Sequence, residues 1–302
     1  MNFRSRPNRF LQDPGAAKIA AQTQSDTSQS RQDLIRQAIK WTVYSLLLIN
    51  WGYYVFDDWR AAQHTLLASD PLLKWMNSYA TSIDELAWFA LLFLFEAETY
   101  SLSDDAMTRM KRFIFVTIRI ACYAFLLHTM YAYWFTYLEL SNVVAFSSGT
   151  SLCDLVGQDF SFLMNLAYTV IDAANCATLS AGGELFQIGG DLVVTDAAGL
   201  SVERGLAIID IIEVTAWLVI VILIEMVVVV QERGTSAGPF IRYSNYLTIA
   251  LYAVLLVIAA YWIWKGHYVY AWDELLWIGG FAAIGMNLSE WRDDIAKATV
   301  PG

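Results

Sequence analysis

The sequence predicts an all-α polytopic membrane protein: six transmembrane helices with both ends cytoplasmic, and a small α+β extracytoplasmic cap between helices three and four. Three observations predict it. Hydrophobic residues make up 57% and charged residues only 16% of the 302 positions, outside the range of a soluble domain. Six segments approach the roughly 20 apolar residues that a helix needs to cross about 30 Å of hydrocarbon. Lys and Arg collect in alternate loops, as they do on the cytoplasmic side of a membrane.

Residues 1–37 are rich in Ser, Gln, Asn and Arg without an apolar period, and are expected to form a disordered cytoplasmic arm. The first three spans fall within 38–138, at Ala38–Phe56, Ile83–Leu102 and Phe113–Leu138. A long polar head precedes the first span and no small-residue cleavage site follows it, so it reads as retained rather than as a signal peptide. Between the first two spans, Pro71–Met76 has the pattern of a short amphipathic helix at the outer surface. Residues 139–213 form the expected cap, 214–290 hold the spans Val214–Gln231, Tyr243–Trp264 and the short Leu275–Ser289, and 291–302 form a cytoplasmic tail.

The orientation follows from Arg4, Arg6, Arg9, Lys18, Arg31, Arg36 and Lys40 in the head, Arg109, Lys111 and Arg112 after the second span, and Arg233 and Arg242 after the fourth. The opposite loops carry mostly acids, including Asp57, Asp58, Asp84, Glu85, Asp273 and Glu274. The net charge of −10 then describes an acidic outer face, which argues against nucleic acid as a partner. Trp51, Tyr53, Tyr54, Trp59, Tyr131, Tyr133, Trp134, Tyr137 and the aromatic residues between 261 and 277 fall at the expected outer headgroups, as an aromatic belt.

Within the cap, Phe160, Leu163, Met164, Ala167, Val170 and Ile171 have helical spacing, and Glu184–Asp196 reads as a hairpin turning at Gly189-Gly190-Asp191. Residues 205–213 extend the fourth helix above the membrane, which puts Asp210 and Glu213 in water or in the cap. Cys153 and Cys176 lie on the oxidising side and are expected to form a disulfide. An unbroken helix would separate their Cα atoms by about 34 Å, against the roughly 4.4–6.8 Å that a bridge requires. The segment must therefore double back, near Gly157 and again near Ala173-Ala174-Asn175. Cys122, in the third span, reads as a small apolar residue.

An internal repeat runs through the spans. Asp84-Glu85-x-x-Trp88 leads into the second, Glu213-x-x-x-Trp217 into the fourth and Asp273-Glu274-x-x-Trp277 into the sixth. Eight residues beyond the tryptophan stand Glu96, Glu225 and Gly285, so the third copy lacks the acid.

No spacing for zinc, haem, a nucleotide or a nucleophile elbow is present, and His64, His128 and His267 are scattered. Neither a cofactor nor a resident metal is expected, and enzymatic chemistry has no visible carrier. Intramembrane charge is what remains. Glu96, Arg119 and Glu225 each lie roughly 9–10 Å inside the cytoplasmic edge at helical rise, at one level. A guanidinium in hydrocarbon costs about 2.5–3.5 kcal/mol or more and calls for a partner. The hairpin of spans two and three makes Glu96 and Arg119 neighbours, leaving Glu225 as a surplus acid that protonates or holds a cation. His128, in the outer half, extends a proton path or is hydrogen-bonded among tyrosines. A structural salt bridge that sets helix register accounts for the same residues.

Leu91-Leu92-Phe93-Leu94-Phe95-Glu96 resembles the second helix of voltage-sensor domains, in which a phenylalanine and an acid form a charge-transfer site. The arginine-repeat helix that defines that family is absent, because Arg119 is the only intramembrane arginine, so the resemblance implies no voltage sensing. Two functional classes follow: proton or cation translocation in a bacterial inner (plasma) membrane, alone or as a homo-oligomer, and a non-catalytic accessory or scaffold subunit among other membrane proteins.

Overall fold

The structure, a computed structural model, describes residues 14–97, 108–180, 182–232 and 238–281. The chain divides into two compact units, Met1–Leu48 and Ile49–Gly302. The first unit holds the beginning of helix α1, Pro14–Thr65. Residues 14–37 are thus helical, which corrects the expectation of a disordered arm; residues 1–13 lie outside the described residues. The physical reason is local: Pro14 opens the first turn without losing a bond, and Ala, Gln, Lys and Arg after it are strong helix formers that need no apolar period.

In the second unit the chain continues through α2 (Leu72–Ser78), α3 (Ala80–Glu96), α4 (Arg109–Ser141), α5 (Ala197–Glu232) and α6 (Pro239–Lys265). A further helix, α7, occupies 268–281 up to the end of the described residues. Three helices are long and apolar enough to cross a membrane: Arg109–Ser141, Ala197–Val227 and Pro239–Lys265. Leu72–Ser78 and Ala80–Phe95 pass the same test only as a pair bent by 74°, so the described helices support three spans, or four with that pair, rather than six. The expected first span is diluted by Lys40, Asn50 and its aromatic residues, and the expected sixth leaves the described residues after 281.

The cap is a sheet rather than an α+β unit. Its five strands are β1 (Val144–Ala145), β2 (Ser161–Met164), β3 (Ala167–Val170), β4 (Leu185–Gln187) and β5 (Val193–Asp196), in the order β1-β4-β5-β2-β3. All neighbours run antiparallel except β2 and β5, which pair in parallel. The expected hairpin over 184–196 forms as β4 and β5, turning at Gly189 and Gly190 with φ of +62° and +77°. The expected helix over 159–175 is overturned. Asn165 and Leu166 take φ of +54° and +61° and close β2 onto β3 in a two-residue hairpin.

A leucine does not choose that conformation alone; Leu166 N–H donates to Glu203 Oε1 on α5 at 3.1 Å, and Asn165 Nδ2 donates to Lys265 O at the end of α6 at 3.1 Å. Tertiary contacts override a local period. Between β1 and β2 a 3-10 turn, Leu152–Leu155, is closed by a reciprocal Ser151–Asp154 capping box. It packs Leu152 and Leu155 with Phe160, Phe162, Ile171, Leu185 and Val194 as the cap core.

Cys153 and Cys176 are bonded, with Cα atoms 4.9 Å apart, and the chain doubles back where expected, at Gly157 (φ +82°) and in the turn over 173–178. Cys122 is buried and free. Replacing both bridged cysteines by serine is expected to cost the cap about 3 kcal/mol, the usual effect of releasing a loop of this length. Limited proteolysis checks this: cleavage between 157 and 175 should begin at temperatures the parent resists, and an unchanged digestion profile would count against it.

The cap is tied to the ends of the helices. Leu140 of α4 and Leu200 and Ala207 of α5 form a second apolar cluster with Phe186 and Ile188 against it. Arg204 Nε donates to Leu140 O at 2.8 Å, and His64, the next-to-last residue of α1, meets Ser161 Oγ at 2.8 Å while its ring stacks on Tyr168. Burial lowers the proton affinity of His64. The expected short helix forms as α2, where Lys74 bridges Asp70 at 3.1 Å and Asp191 of the β4–β5 turn at 2.7 Å.

Asp58 accepts from both the backbone N–H and the hydroxyl of Ser82, at 2.9 and 2.6 Å, in the first turn of α3. A carboxylate there satisfies an orphan donor and meets the positive end of the helix. Burial still pushes its carboxyl up to about 6, against the lowering effect of those two bonds.

Candidate functional site

The three copies of the acid–tryptophan repeat meet in one place. In each, the tryptophan follows an acid by four residues, so both lie on one helix face: Asp84 and Trp88 on α3, Glu213 and Trp217 on α5, Asp273 and Trp277 on α7. These faces turn inward around a cavity of about 40 Å³, room for roughly three waters. Five carboxyl groups line it, those of Asp84, Glu85, Glu213, Asp273 and Glu274, with Trp88, Trp217, Trp277 and Phe281 as the aromatic wall. Among the described residues the lining holds no Lys, Arg or His.

The indole N–H groups are distributed one to an acid. Trp217 Nε1 donates to Glu274 Oε2 at 3.1 Å, and Trp277 Nε1 to Glu85 Oε2 at 3.2 Å, so α5 reaches to α7 and α7 to α3. Trp88 breaks the progression by donating to its own Asp84 Oδ2 at 3.1 Å, and Glu213 Oε2 receives Trp262 Nε1 of α6 at 2.8 Å instead. Asp273 accepts from Asn50 Nδ2 and, at 3.4 Å, from the Tyr54 hydroxyl, which joins α1 to α7. The rings pack on one another, Trp88 lying 5.9 Å from Trp217, 6.1 Å from Trp277 and 5.7 Å from Phe281 between centroids. Edge-on and tilted contacts of this kind contribute about 0.5–1.5 kcal/mol each beyond area burial.

Two oxygens in this site lack a donor among the described residues. Glu274 is only 2% exposed, and its Oε1 has no hydrogen-bond partner. The hydroxyl of Thr129, beside Asp84, donates to Phe125 O at 3.1 Å, which leaves Asp84 Oδ1 without a donor as well. An unsatisfied buried acceptor costs about 1–3 kcal/mol, more when charged. A carboxylate so placed is therefore ready to take a proton or a cation.

Asp84, Glu85, Asp273 and Glu274 were expected on an acidic outer face, and Glu213 in water or in the cap; the cavity corrects all five. The belt reading is corrected in part, because Trp51, Tyr54, Tyr133 and Trp262 bond inside the bundle while Trp59, Tyr131, Trp134 and Trp264 are exposed. The repeat itself was the available signal: an acid and an indole four residues apart, three times over, forms a matched donor and acceptor that has no use in open water.

The expected site lies elsewhere on α4 and α5. Arg119 Nε stands 4.0 Å from Glu225 Oε1, with the two side chains 30% and 42% exposed, and the Tyr123 hydroxyl donates to the same carboxyl oxygen. The guanidinium thus faces Glu225, the acid that the sequence left as surplus. The side chain of Glu96, its expected partner, lies outside the described residues. Both ring nitrogens of His128 are without a hydrogen-bond partner among the described residues, and its ring sits 6.1 Å from that of Tyr131. Among the described residues no three His, Cys, Asp or Glu side chains converge as metal ligands.

No family model, curated protein or solved structure matches this chain. The functional reading therefore rests on the site's own chemistry.

Proposed function

We propose that the chain is a multi-pass membrane protein that passes protons or small cations through its helical bundle, with the carboxyl cavity as the principal binding site. The observation that carries this is Glu274: a buried carboxyl with one bonded and one bare oxygen, inside a cavity of acids with no base among the described residues. Two carboxylates in contact, or one without a counter-charge, take up a proton or a cation rather than remain bare.

Polar groups continue inward from the cavity. His128 neighbours Thr129; Tyr123, about 7.5 Å further along α4, meets Glu225, which itself lies about 18 Å from Glu213 along α5. Arg119 ends the series. In this reading Glu225, Arg119 and Glu96 form the inner stretch of the path, and His128, in the outer half, links it to the cavity. The orientation, with the cap outside a bacterial inner membrane, belongs to the same proposal. It is supported by the alternation of Lys and Arg, and by the way the C-terminal ends of α1 and α6 and the N-terminal end of α5 bond to the cap, while Leu140 at the end of α4 packs with Phe186 and Ile188 beside it.

Purified protein in liposomes loaded with a pH-sensitive dye is expected to carry a proton flux that Glu274→Gln lowers at least tenfold, and Glu225→Gln by a smaller factor, with helix content by circular dichroism unchanged. Flux indifferent to Glu274→Gln removes the cavity from the mechanism. Absence of flux in the parent, with a stable hetero-complex on gentle extraction, supports the accessory-subunit reading instead.

A further inference from the structure

We infer that the carboxyl cavity selects a small ammonium-type cation, an ammonium ion or the head of a protonated primary amine. The inference rests on the reading of the cavity as a cation site and names the ion's chemistry. Three features separate this class from others. The first is acceptor geometry: each indole holds one oxygen of its acid, which orients the carboxyl as outer-shell donors orient ligating groups, and leaves Glu274 Oε1 and Asp84 Oδ1 for the ion. Two acceptors from different helices suit a cation that brings its own N–H donors at about 2.7–2.9 Å. A calcium ion takes six to eight oxygens at roughly 2.3–2.6 Å, and no three acidic side chains among the described residues converge in that way.

The second feature is size. A cavity of about 40 Å³, room for roughly three waters, favours an ion of a few heavy atoms over a bulkier one. The third is the aromatic share of the lining: Trp88, Trp217, Trp277 and Phe281 border the same space as the acids. Aromatic rings attract weakly hydrated organic cations by about 0.5–2 kcal/mol, most strongly when the site is dry. Acids and aromatic rings around one small space favour an ion that can donate N–H bonds and also lie against a ring.

The full-length protein in nanodiscs supplies its own reporter, since three indoles line the site. At fixed pH and with choline chloride keeping ionic strength constant, ammonium chloride and methylammonium chloride are expected to change tryptophan fluorescence saturably. Glu274→Gln should weaken that response at least tenfold, and Asp84→Asn, which leaves the bonded oxygen of Glu274 untouched, should weaken it as well. Both variants are compared at matched helix content, so that either one suffices if the other fails to fold. The inference is overturned if choline produces the same change, if potassium or calcium at equal concentration matches ammonium, or if the response survives in a folded variant. Ammonium binding without any flux defeats the translocation reading alone. Proton flux without an ammonium response defeats this inference alone.

Discussion

Trp217→Ala is expected to destabilise the bundle by about 3–5 kcal/mol, the usual range for removing a buried tryptophan. Trp217 is 8% exposed, and its ring lies between Trp88, Phe281 at 5.4 Å and Tyr252 at 6.2 Å. Truncation opens a void in that stack, and it also removes the one donor among the described residues to Glu274, whose other oxygen already has none. Both oxygens of a buried acid are then bare, at an additional cost of about 1–3 kcal/mol if the group does not protonate. Trp217→Phe separates the two effects: the ring persists and only the N–H is lost, so a smaller loss, nearer 2 kcal/mol, is expected. Thermal unfolding in detergent, followed by near-ultraviolet circular dichroism, measures both. Equal melting temperatures for the parent and Trp217→Ala would show that the indole stack does not hold the bundle together.

Gly199→Val is expected to have a comparable effect on the cap. A Cβ at residue 199 would stand 2.1 Å from Thr195 Oγ1 and 3.2 Å from Leu163 O. Thr195 is 0% exposed and donates to Leu163 O at 2.8 Å, holding β5 beside β2. A side chain at 199 must displace that hydroxyl, adding overpacking of about 1–3 kcal/mol to the loss of a buried hydrogen bond worth about 1 kcal/mol. The total, about 3 kcal/mol, falls where strand β5 passes into α5, at a helix start that Asp196 Oδ1 caps through the Gly199 N–H at 2.8 Å. Gly199→Ala carries the same clash with less bulk and should rank between the two. The measure is the protease resistance of the cap relative to the bundle in the same sample. Wild-type resistance in Gly199→Val would mean that α5 can enter the cap by another path.

Much of the architecture is legible from composition and period. α4, α5 and α6 are long apolar runs bounded by charge or glycine, and the β4–β5 hairpin announces itself through Gly189-Gly190. The disulfide follows from compartment and number. What misleads is local regularity that distant residues override: the 160–171 segment has a helical period, yet Glu203 and Lys265, far along the chain, hold its turn as a hairpin. The arm before residue 38 misleads in the opposite sense, because helix propensity needs no apolar stripe.

For the site, the residues were visible and their setting was not. Asp84, Glu85, Glu213, Asp273 and Glu274 stand at the mouths of apolar runs, where the positive-inside rule assigns acids to the outer water. The tryptophan four residues on contradicts that assignment, since an indole donor paired with an acid lets both be buried. Arg119 drew attention because a lone guanidinium is conspicuous in an apolar run, and it does find an acid, though in Glu225. No rule of sequence spacing ranks one cluster over the other; only packing does.

The passing of indole donors from one helix to the next has a temporal side. Glu85 receives its N–H from residue 277, and Trp217 finds its acceptor at residue 274, in a helix that the ribosome delivers after α3 and α5. Until that helix arrives, the earlier acids and the Trp217 indole lack those bonds, and the chamber has no third wall. The chamber therefore closes only when α7 docks as a keystone, and a nascent chain cut short before residue 273 keeps its interior open.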